Sequence, residues 1–419
     1  MRHAPSAEFL RAVEAPEPDS AAIDVSIVMP CLNEAKCLAA CIANAREALA
    51  MISDRFGLAG EIVVADNGST DGSQAIAVAE GARVVPVAER GYGAALIGGG
   101  YGARGRYIVF GDADGSYDFR ECVPMVERLI AGSDLCMGSR FKGGIAPGAM
   151  PWKNRYIGNP VLTGILNLMF RSGISDAHCG LRAVTSDAFR KLRLSGSGME
   201  FASEMVIKAA LQKLDIAEVP ATLSRDLRDR EPHLRPWRDG WRHLRYLLML
   251  SPTWVFTVPA TAGALAALVI FAGALVNAFA PGLGFGFFGN YWVIAASAFA
   301  GISHLAFILS MTGHLYGIKA GYRRSGRGTA LLGRLLTLET MLISGLALIA
   351  AGILVLAMVA LSWSARDFSA TYSVLPAVGG TLLVTLGIQN VFGGFLLAII
   401  GGNEARFLEG RVQAPETAR

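Results

Sequence analysis

Short apolar runs punctuate the front of the chain at Val25–Met29, Glu61–Ala65, Arg83–Val87, Tyr107–Gly111 and Leu135–Gly138. Helical spacing of apolar positions fills the stretches between them. That alternation predicts strands and helices in turn, hence a doubly wound α/β layer on a parallel sheet. Ligands of such sheets sit beyond the carboxyl ends of the strands. The residues that follow each run are therefore where chemistry is expected.

After Pro252 the pattern changes. Four apolar stretches, about 254–280, 290–314, 335–363 and 372–400, each exceed the ~20 residues needed to cross a bilayer. The first connection, Pro281 to Gly289, carries no charge, whereas the second carries Lys319, Arg323, Arg324, Arg327 and Arg334. Basic loops stay on the cytoplasmic side. An even number of spans then places the front domain and the C-terminal tail on that side too. Just before the first span, Trp237, Trp241, Leu244, Leu247 and Leu248 recur at helical spacing, with Arg238, Arg242 and Arg245 between them. This is the pattern of an amphipathic helix lying in the membrane interface. The expected organisation is a disordered leader (1–22, with no apolar signal-peptide core), an α/β domain (23–236), an interfacial helix (237–251), a membrane domain (252–402) and a cytoplasmic tail (403–419).

Charge sharpens this division. Of 38 basic and 34 acidic side chains, only 9 and 5 follow residue 250, leaving 29 of each before it. The front is balanced, and the net charge of +4 belongs to the membrane half. That argues against a nucleic-acid partner, which calls for positive charge gathered on a folded face. Six cysteines (Cys31, Cys37, Cys41, Cys122, Cys136, Cys179) lie in the front half with no C-x-x-C pair, and read as reduced thiols. A wholly soluble enzyme, a disordered chain and a secreted disulfide scaffold are excluded.

The strand ends carry the candidate chemistry. Pro30-Cys31-Leu32-Asn33-Glu34 follows the first strand and lacks the glycine-rich turn of a dinucleotide site. Asp66-Asn67-Gly68-Ser69-Thr70-Asp71 follows the second. Its first acid can hydrogen-bond a base or ribose, or close an Asx turn with Asp71 capping the next helix. Gly111-Asp112-Ala113-Asp114-Gly115-Ser116 follows the fourth. Two carboxylates one residue apart there can share Mg²⁺ or Mn²⁺ with a diphosphate, or can be solvated turn residues.

Taken in order, P-C-L-N-E, D-N-G-S-T-D, Arg90-Gly91-Tyr92-Gly93, D-A-D-G-S and Gly138-Ser139-Arg140 closely resemble the family 2 glycosyltransferases of the GT-A fold. The resemblance continues through Asp176-Ala177-His178-Cys179-Gly180-Leu181-Arg182, Glu200-Phe201-Ala202-Ser203-Glu204 and the stretch from Pro232 to His243. With four spans following, the chain is similar to the polyprenyl-phosphate type, the dolichyl-phosphate mannose and glucose synthases. Motifs cover about residues 24 to 250, and span count alone covers the rest. The resemblance implies an α/β GT-A (Rossmann-like) domain with a C-terminal membrane domain of four helices. It implies that Pro30, Leu32, Glu34, Asp66, Arg90 and Asp112 line the nucleotide, and that Asp112, Asp114 and Ser116 hold Mg²⁺ or Mn²⁺. Arg140, Arg228 and Arg235 would meet the acceptor phosphate, and Asp176, with Asp114 and Arg140, would stand at the reacting centre. Glu204 sits where related enzymes with hydroxyl acceptors keep a base, and reads equally as a helix-face residue.

The function expected from this is transfer of one hexose from a nucleotide sugar to a polyprenyl phosphate at the cytoplasmic membrane face, with inversion. The stretch from Pro232 to Arg242 favours UDP-glucose, and GDP-mannose is the second candidate donor. One rival is a processive polysaccharide synthase, against which the missing Q-x-x-R-W motif and the small number of spans weigh. The other is a lipid-binding scaffold with a decayed transferase fold. No oligomeric state can be read, and a homo-oligomer is compatible with everything above.

Overall fold

The computed structural model describes residues 23–228, 236–280, 288–369 and 373–402. The chain divides into two compact units. The first runs to Ser251 and includes the short segment Gly321–Arg324; the second comprises Pro252–Ala320 and the residues from Ser325 onward. The leader and the tail lie outside the described residues.

The first unit is built on one mixed sheet in the order β3-β2-β1-β4-β7-β5-β8-β6. Its strands are β1 (Val25–Cys31), β2 (Gly60–Asp66), β3 (Arg83–Pro86), β4 (Tyr107–Phe110), β5 (Leu135–Ser139), β6 (Gly144–Ile145), β7 (Arg182–Thr185) and β8 (Ile216–Leu223). All five expected strands are present. The expectation of a wholly parallel sheet is corrected by β7, which runs antiparallel between β4 and β5. This strand has only four residues and opens on an arginine, so neither length nor apolar alternation marks it in the sequence.

Side chains on successive strand residues point to opposite faces, and both faces are covered. Ile27, Met29, Val64 and Val109 pack beneath the helices Ala35–Phe56 and Val123–Ile130. Val28, Val63, Ala65, Ile108 and Phe110 pack beneath the helices Tyr92–Gly102 and Phe201–Gln212. Burial on both sides explains why these strands read as near-continuous apolar runs. The helix Pro236–Met249 has two apolar faces. Tyr246 and Leu247 join the core of this unit, while Trp241 (60% exposed) and Met249 (68%) face outward.

In the second unit, four helices among the described residues are long and apolar enough to cross a membrane: Thr253–Phe279, Asn290–Lys319, Leu338–Ser364 and Leu375–Gly401. The last two approach backbone to backbone. A Cβ at Gly352 would lie 2.7 Å from the Gly380 carbonyl oxygen, and one at Gly345 would lie 2.8 Å from that of Gly387. Small residues permit such contact in a medium where burial of apolar surface gives no gain. His304 Nε2 meets Asn390 Oδ1 at 2.9 Å, and Asn390 Nδ2 donates to Ser344 Oγ at 3.2 Å, so one polar chain joins three spans.

Candidate active site

The first two strand-end loops are stitched together. Asn33 N donates to Ser69 Oγ, Glu34 N to Ser73 Oγ, Ala35 N to Asp71 Oδ2, and Thr70 N to Asn33 Oδ1. Pro30, Leu32 and Glu34 are held on this frame. The Asp66 carboxylate turns inward, accepting from the Gly68 and Ser69 amides and from Gln74 Nε2 at 2.6 Å. Burial raises its pKa, but the hydrogen bonds from Ser69 and Gln74 prevail and hold it below the usual value. The Asx turn weighed from the sequence is thus the local structure. Arg90 is exposed, and its guanidinium lies against Gly68. Asn67, which sequence reasoning passed over, clamps the neighbouring loop. It donates to the Val87 and Glu89 carbonyls and accepts from Gly91 N.

Asp112 and Asp114 leave β4 together. Asp112 Oδ1 accepts from the Tyr92 hydroxyl at 2.9 Å, and Gly180 packs so close that a Cβ there would meet Oδ2 at 2.6 Å. Burial, and then the charge of Asp114, push the Asp112 carboxyl up to about 6. Asp114 Oδ1 accepts from Ser116 N, and its Oδ2 lies 2.8 Å from Arg228 Nη2. Arg228 Nε reaches Glu34 at 3.2 Å, so one guanidinium bridges two carboxylates. Arg228 comes from the loop after β8, which is pinned across the D-A-D-G-S turn. Ser224 N bonds the Ser116 carbonyl, and Leu227 N bonds that of Asp114. Arg235 lies outside the described residues.

Arg140 and Asp176 meet each other directly. Arg140 Nε and Nη2 donate to Asp176 Oδ2 and Oδ1 at 2.7 and 2.8 Å, and the Arg140 amide adds a third bond. Asp176 is fully buried. Burial raises its pKa, and the Arg140 fork outweighs that, keeping it ionised below the usual range. Glu218, another residue sequence reasoning missed, accepts from the Ser175 and Asp176 amides and fixes this loop from below. A glutamate inside β8, a strand with no recognised apolar run, left no signal in the sequence. All six cysteines are free and buried.

Among the described residues, no group of three or more His, Cys, Asp or Glu side chains is arranged to enclose a metal. The fit is instead to a shared site. Mg²⁺ is commonly held by one or two carboxylates plus substrate phosphates, and Asp112 and Asp114 supply hard oxygens at one turn. The two carboxylates stand close enough that the charge of Asp114 adds to burial in raising Asp112, and Arg228 supplies one positive charge at the same turn.

The Glycosyl transferase family 2 model matches residues 26–193, and its C-terminal transmembrane region model matches residues 311–401. The chain is 35% identical over 384 residues to the low-salt glycan biosynthesis hexosyltransferase of Haloferax volcanii, covering 90% of this chain and 89% of that protein. It is 28% identical over 211 residues to the polyprenol monophosphomannose synthase of Mycolicibacterium smegmatis, covering 47% of this chain and 76% of that protein. A solved structure of glucosyl-3-phosphoglycerate synthase from Mycobacterium tuberculosis, in complex with Mn²⁺, UDP and phosphoglyceric acid, aligns at 22% identity and TM-score 0.41. The alignment covers 59% of this chain and 82% of that one. The strand-end motifs, the GT-A sheet that carries them and the near full-length relative agree: the chain is a family 2 glycosyltransferase with a C-terminal transmembrane region.

Proposed function

We propose that this glycosyltransferase moves one hexose from a nucleotide sugar to a polyprenyl phosphate at the cytoplasmic face of the membrane. The observation that carries the reading is the Arg228 bridge, which brings the loop after β8 directly onto Asp114 of the D-A-D turn and onto Glu34. A loop that reaches this turn with a guanidinium is suited to carry an anionic acceptor to it, because the planar fork matches phosphate oxygens. Likeness to a hexosyltransferase and to a polyprenol monophosphomannose synthase supports the same donor and acceptor classes.

In the reaction a phosphate oxygen of the lipid attacks the anomeric carbon, the bond to the nucleotide diphosphate breaks, and the centre inverts. The acceptor is already anionic at pH 7, so no hydroxyl proton has to be removed. Two acids that could have served as a base are both engaged, Asp176 by Arg140 and Glu204 by five donors, which supports a mechanism without one. Asp112 and Asp114, with Ser116 beside them, are the residues that would hold Mg²⁺ or Mn²⁺, which when bound neutralises charge on the departing diphosphate. Pro30, Leu32, Glu34, Asp66 and Arg90 shape the nucleotide side, Arg140 and Arg228 the phosphate side, and alignment supplies much of the rate.

The orientation rests on two supports. The basic connection after the second span favours the cytoplasm, and Gly321–Arg324 of that connection folds with the catalytic unit. UDP-glucose is the preferred donor. A panel of UDP and GDP sugars offered to the purified protein with one polyprenyl phosphate tests the reading. Label should appear in a chloroform-soluble lipid, and absence of lipid product with every donor would sink it.

A further inference from the structure

The helix Phe201–Gln212 is buried almost throughout, yet it carries Ser203, Glu204, Lys208 and Gln212 inside, none more than 7% exposed. Buried charge persists only where it is paired and hydrogen-bonded, so each partner has meaning. Glu204 is fully buried. It accepts from Ser195 N at 3.0 Å, Ser195 Oγ at 3.2 Å, Gly196 N at 2.7 Å, the Tyr246 hydroxyl at 2.7 Å and Lys208 Nζ at 2.6 Å. A carboxylate offers about four lone-pair sites, and these are taken.

The loop that Glu204 grips lies on the R-G-Y-G segment. Ala94 N donates to the Ser197 carbonyl at 3.1 Å. A Cβ at Gly91 would stand 2.1 Å from that same oxygen, and one at Gly93 would stand 2.1 Å from the Gly196 carbonyl oxygen. Both glycines are thus required by backbone lying on backbone. The residue between them, Tyr92, donates its hydroxyl to Asp112. On the opposite side, Lys208 also donates to the Arg193 carbonyl and faces the Tyr322 ring at 5.8 Å, and Gln212 Nε2 donates to the Gly321 carbonyl at 3.0 Å.

We infer that Glu204 is a positioning residue for the nucleotide step: it fixes the Ser195–Gly198 loop, which seats the Tyr92 hydroxyl on Asp112. The same carboxylate is tied to two segments that adjoin membrane spans in the chain, the Tyr246 helix directly and Gly321–Arg324 through Lys208. Glu204 is therefore not a base, and its contribution is read in donor binding. The inference rests on the assignment of Asp112 to the nucleotide and its metal.

The test uses the full chain in detergent, with Glu204→Gln, Tyr92→Phe and the double variant. Each single change should raise the KM for nucleotide sugar about tenfold, in keeping with loss of a buried hydrogen bond to a charged group. The KM for polyprenyl phosphate should stay within about twofold, because the acceptor side is untouched. The double variant should be little worse than either single one, since both break one chain of contacts. Hydrogen exchange of the Gly91–Ala95 amides should accelerate in Glu204→Gln. If Glu204→Gln instead lowers kcat at unchanged nucleotide KM and removes one limb of the pH profile, it is a base and the inference falls. Multiplicative effects in the double variant, or unchanged exchange at Gly91–Ala95, overturn it equally. Should Glu204→Gln fail to fold, Tyr246→Phe removes one donor from the same carboxylate and is expected to give a smaller rise in nucleotide KM with the same selectivity; no rise overturns the inference. If wild-type protein binds nucleotide with no response to divalent metal, the assignment of Asp112 fails while the Glu204 contacts stand.

Discussion

Arg140 closes a two-bond fork on Asp176, with Nε and Nη2 at 2.7 and 2.8 Å from the two carboxylate oxygens and both side chains buried. A buried pair of this kind is costly to break, about 3–5 kcal/mol, because the remaining charge has no partner. Asp176→Asn should therefore lower the thermal unfolding midpoint in detergent by many degrees and reduce accumulated protein. An unfolding midpoint at the wild-type value with transfer abolished would mean that Asp176 acts on substrate and not on Arg140.

Asp114→Asn is expected to behave oppositely. Asp114 is buried at the D-A-D turn, but the Arg228 guanidinium that meets it is also held by Glu34, so loss of one charge leaves Arg228 paired. The variant should fold at wild-type level and lose nearly all transfer, together with metal-dependent nucleotide binding. Retention of more than about a tenth of the activity, equal to ~1.4 kcal/mol of barrier, would remove Asp114 from the metal assignment.

These contrasts mark how far the sequence could be read. Four of the five expected strands rest on apolar runs that the sheet buries, a strong signal, whereas the edge strand β3 is only half-buried. The four spans rest on length and composition. The strand ends were legible as places, because ligands lie there in any doubly wound sheet. Partnerships between side chains were not. Arg228 and Glu34 are 194 residues apart, and nothing in local spacing joins them. Asp66 reads from the sequence either as a ribose partner or as the start of an Asx turn, and spacing alone does not show that Gln74 also reaches its carboxylate. Glu204 reads equally as a base and as a helix-face residue, and nothing in local spacing reveals the five donors around it. The helix before the first span was read as one apolar stripe, whereas Leu247 points into the core and Trp241 points away from it.

His178 gives a pH dependence. Its Nε2 meets Ser203 Oγ at 3.2 Å, its ring packs edge-on against His243 at 4.8 Å, and its buried Nδ1 has no partner among the described residues. Burial, then the neighbouring His243, drive its pKa down to about 3. In the unfolded chain a histidine takes its proton near 6.5. Below that pH the unfolded state binds more protons, so stability falls as pH drops from about 6.5 toward 3. His178→Gln should flatten the upper part of that decline, between about pH 6.5 and 5, where one histidine can contribute up to ~1.4 kcal/mol per pH unit. Asp176, also held below its usual pKa, loses its contribution only at lower pH. An unchanged slope in His178→Gln would refute this origin.

Gly352 tests the membrane unit. Its backbone touches Gly380, so Gly352→Leu must force the helices Leu338–Ser364 and Leu375–Gly401 apart. The variant is expected to lose thermal stability in detergent and to become more sensitive to protease between these helices. The exposed Ile353→Leu serves as the control and should change neither. Equal behaviour of the two variants would contradict the close helix contact.

The most direct measurement follows the sugar itself. Inside-out membrane vesicles containing the protein are supplied with radiolabelled UDP-glucose, polyprenyl phosphate and Mg²⁺ or Mn²⁺. Label is expected in an organic-soluble lipid carrying one hexose per phosphate, released by mild acid, and absent with a chelator or with Asp114→Asn. The other UDP and GDP sugars, run in parallel, identify the donor. Label in an insoluble polymer, or in no lipid with any donor, would contradict single-sugar transfer to a lipid phosphate.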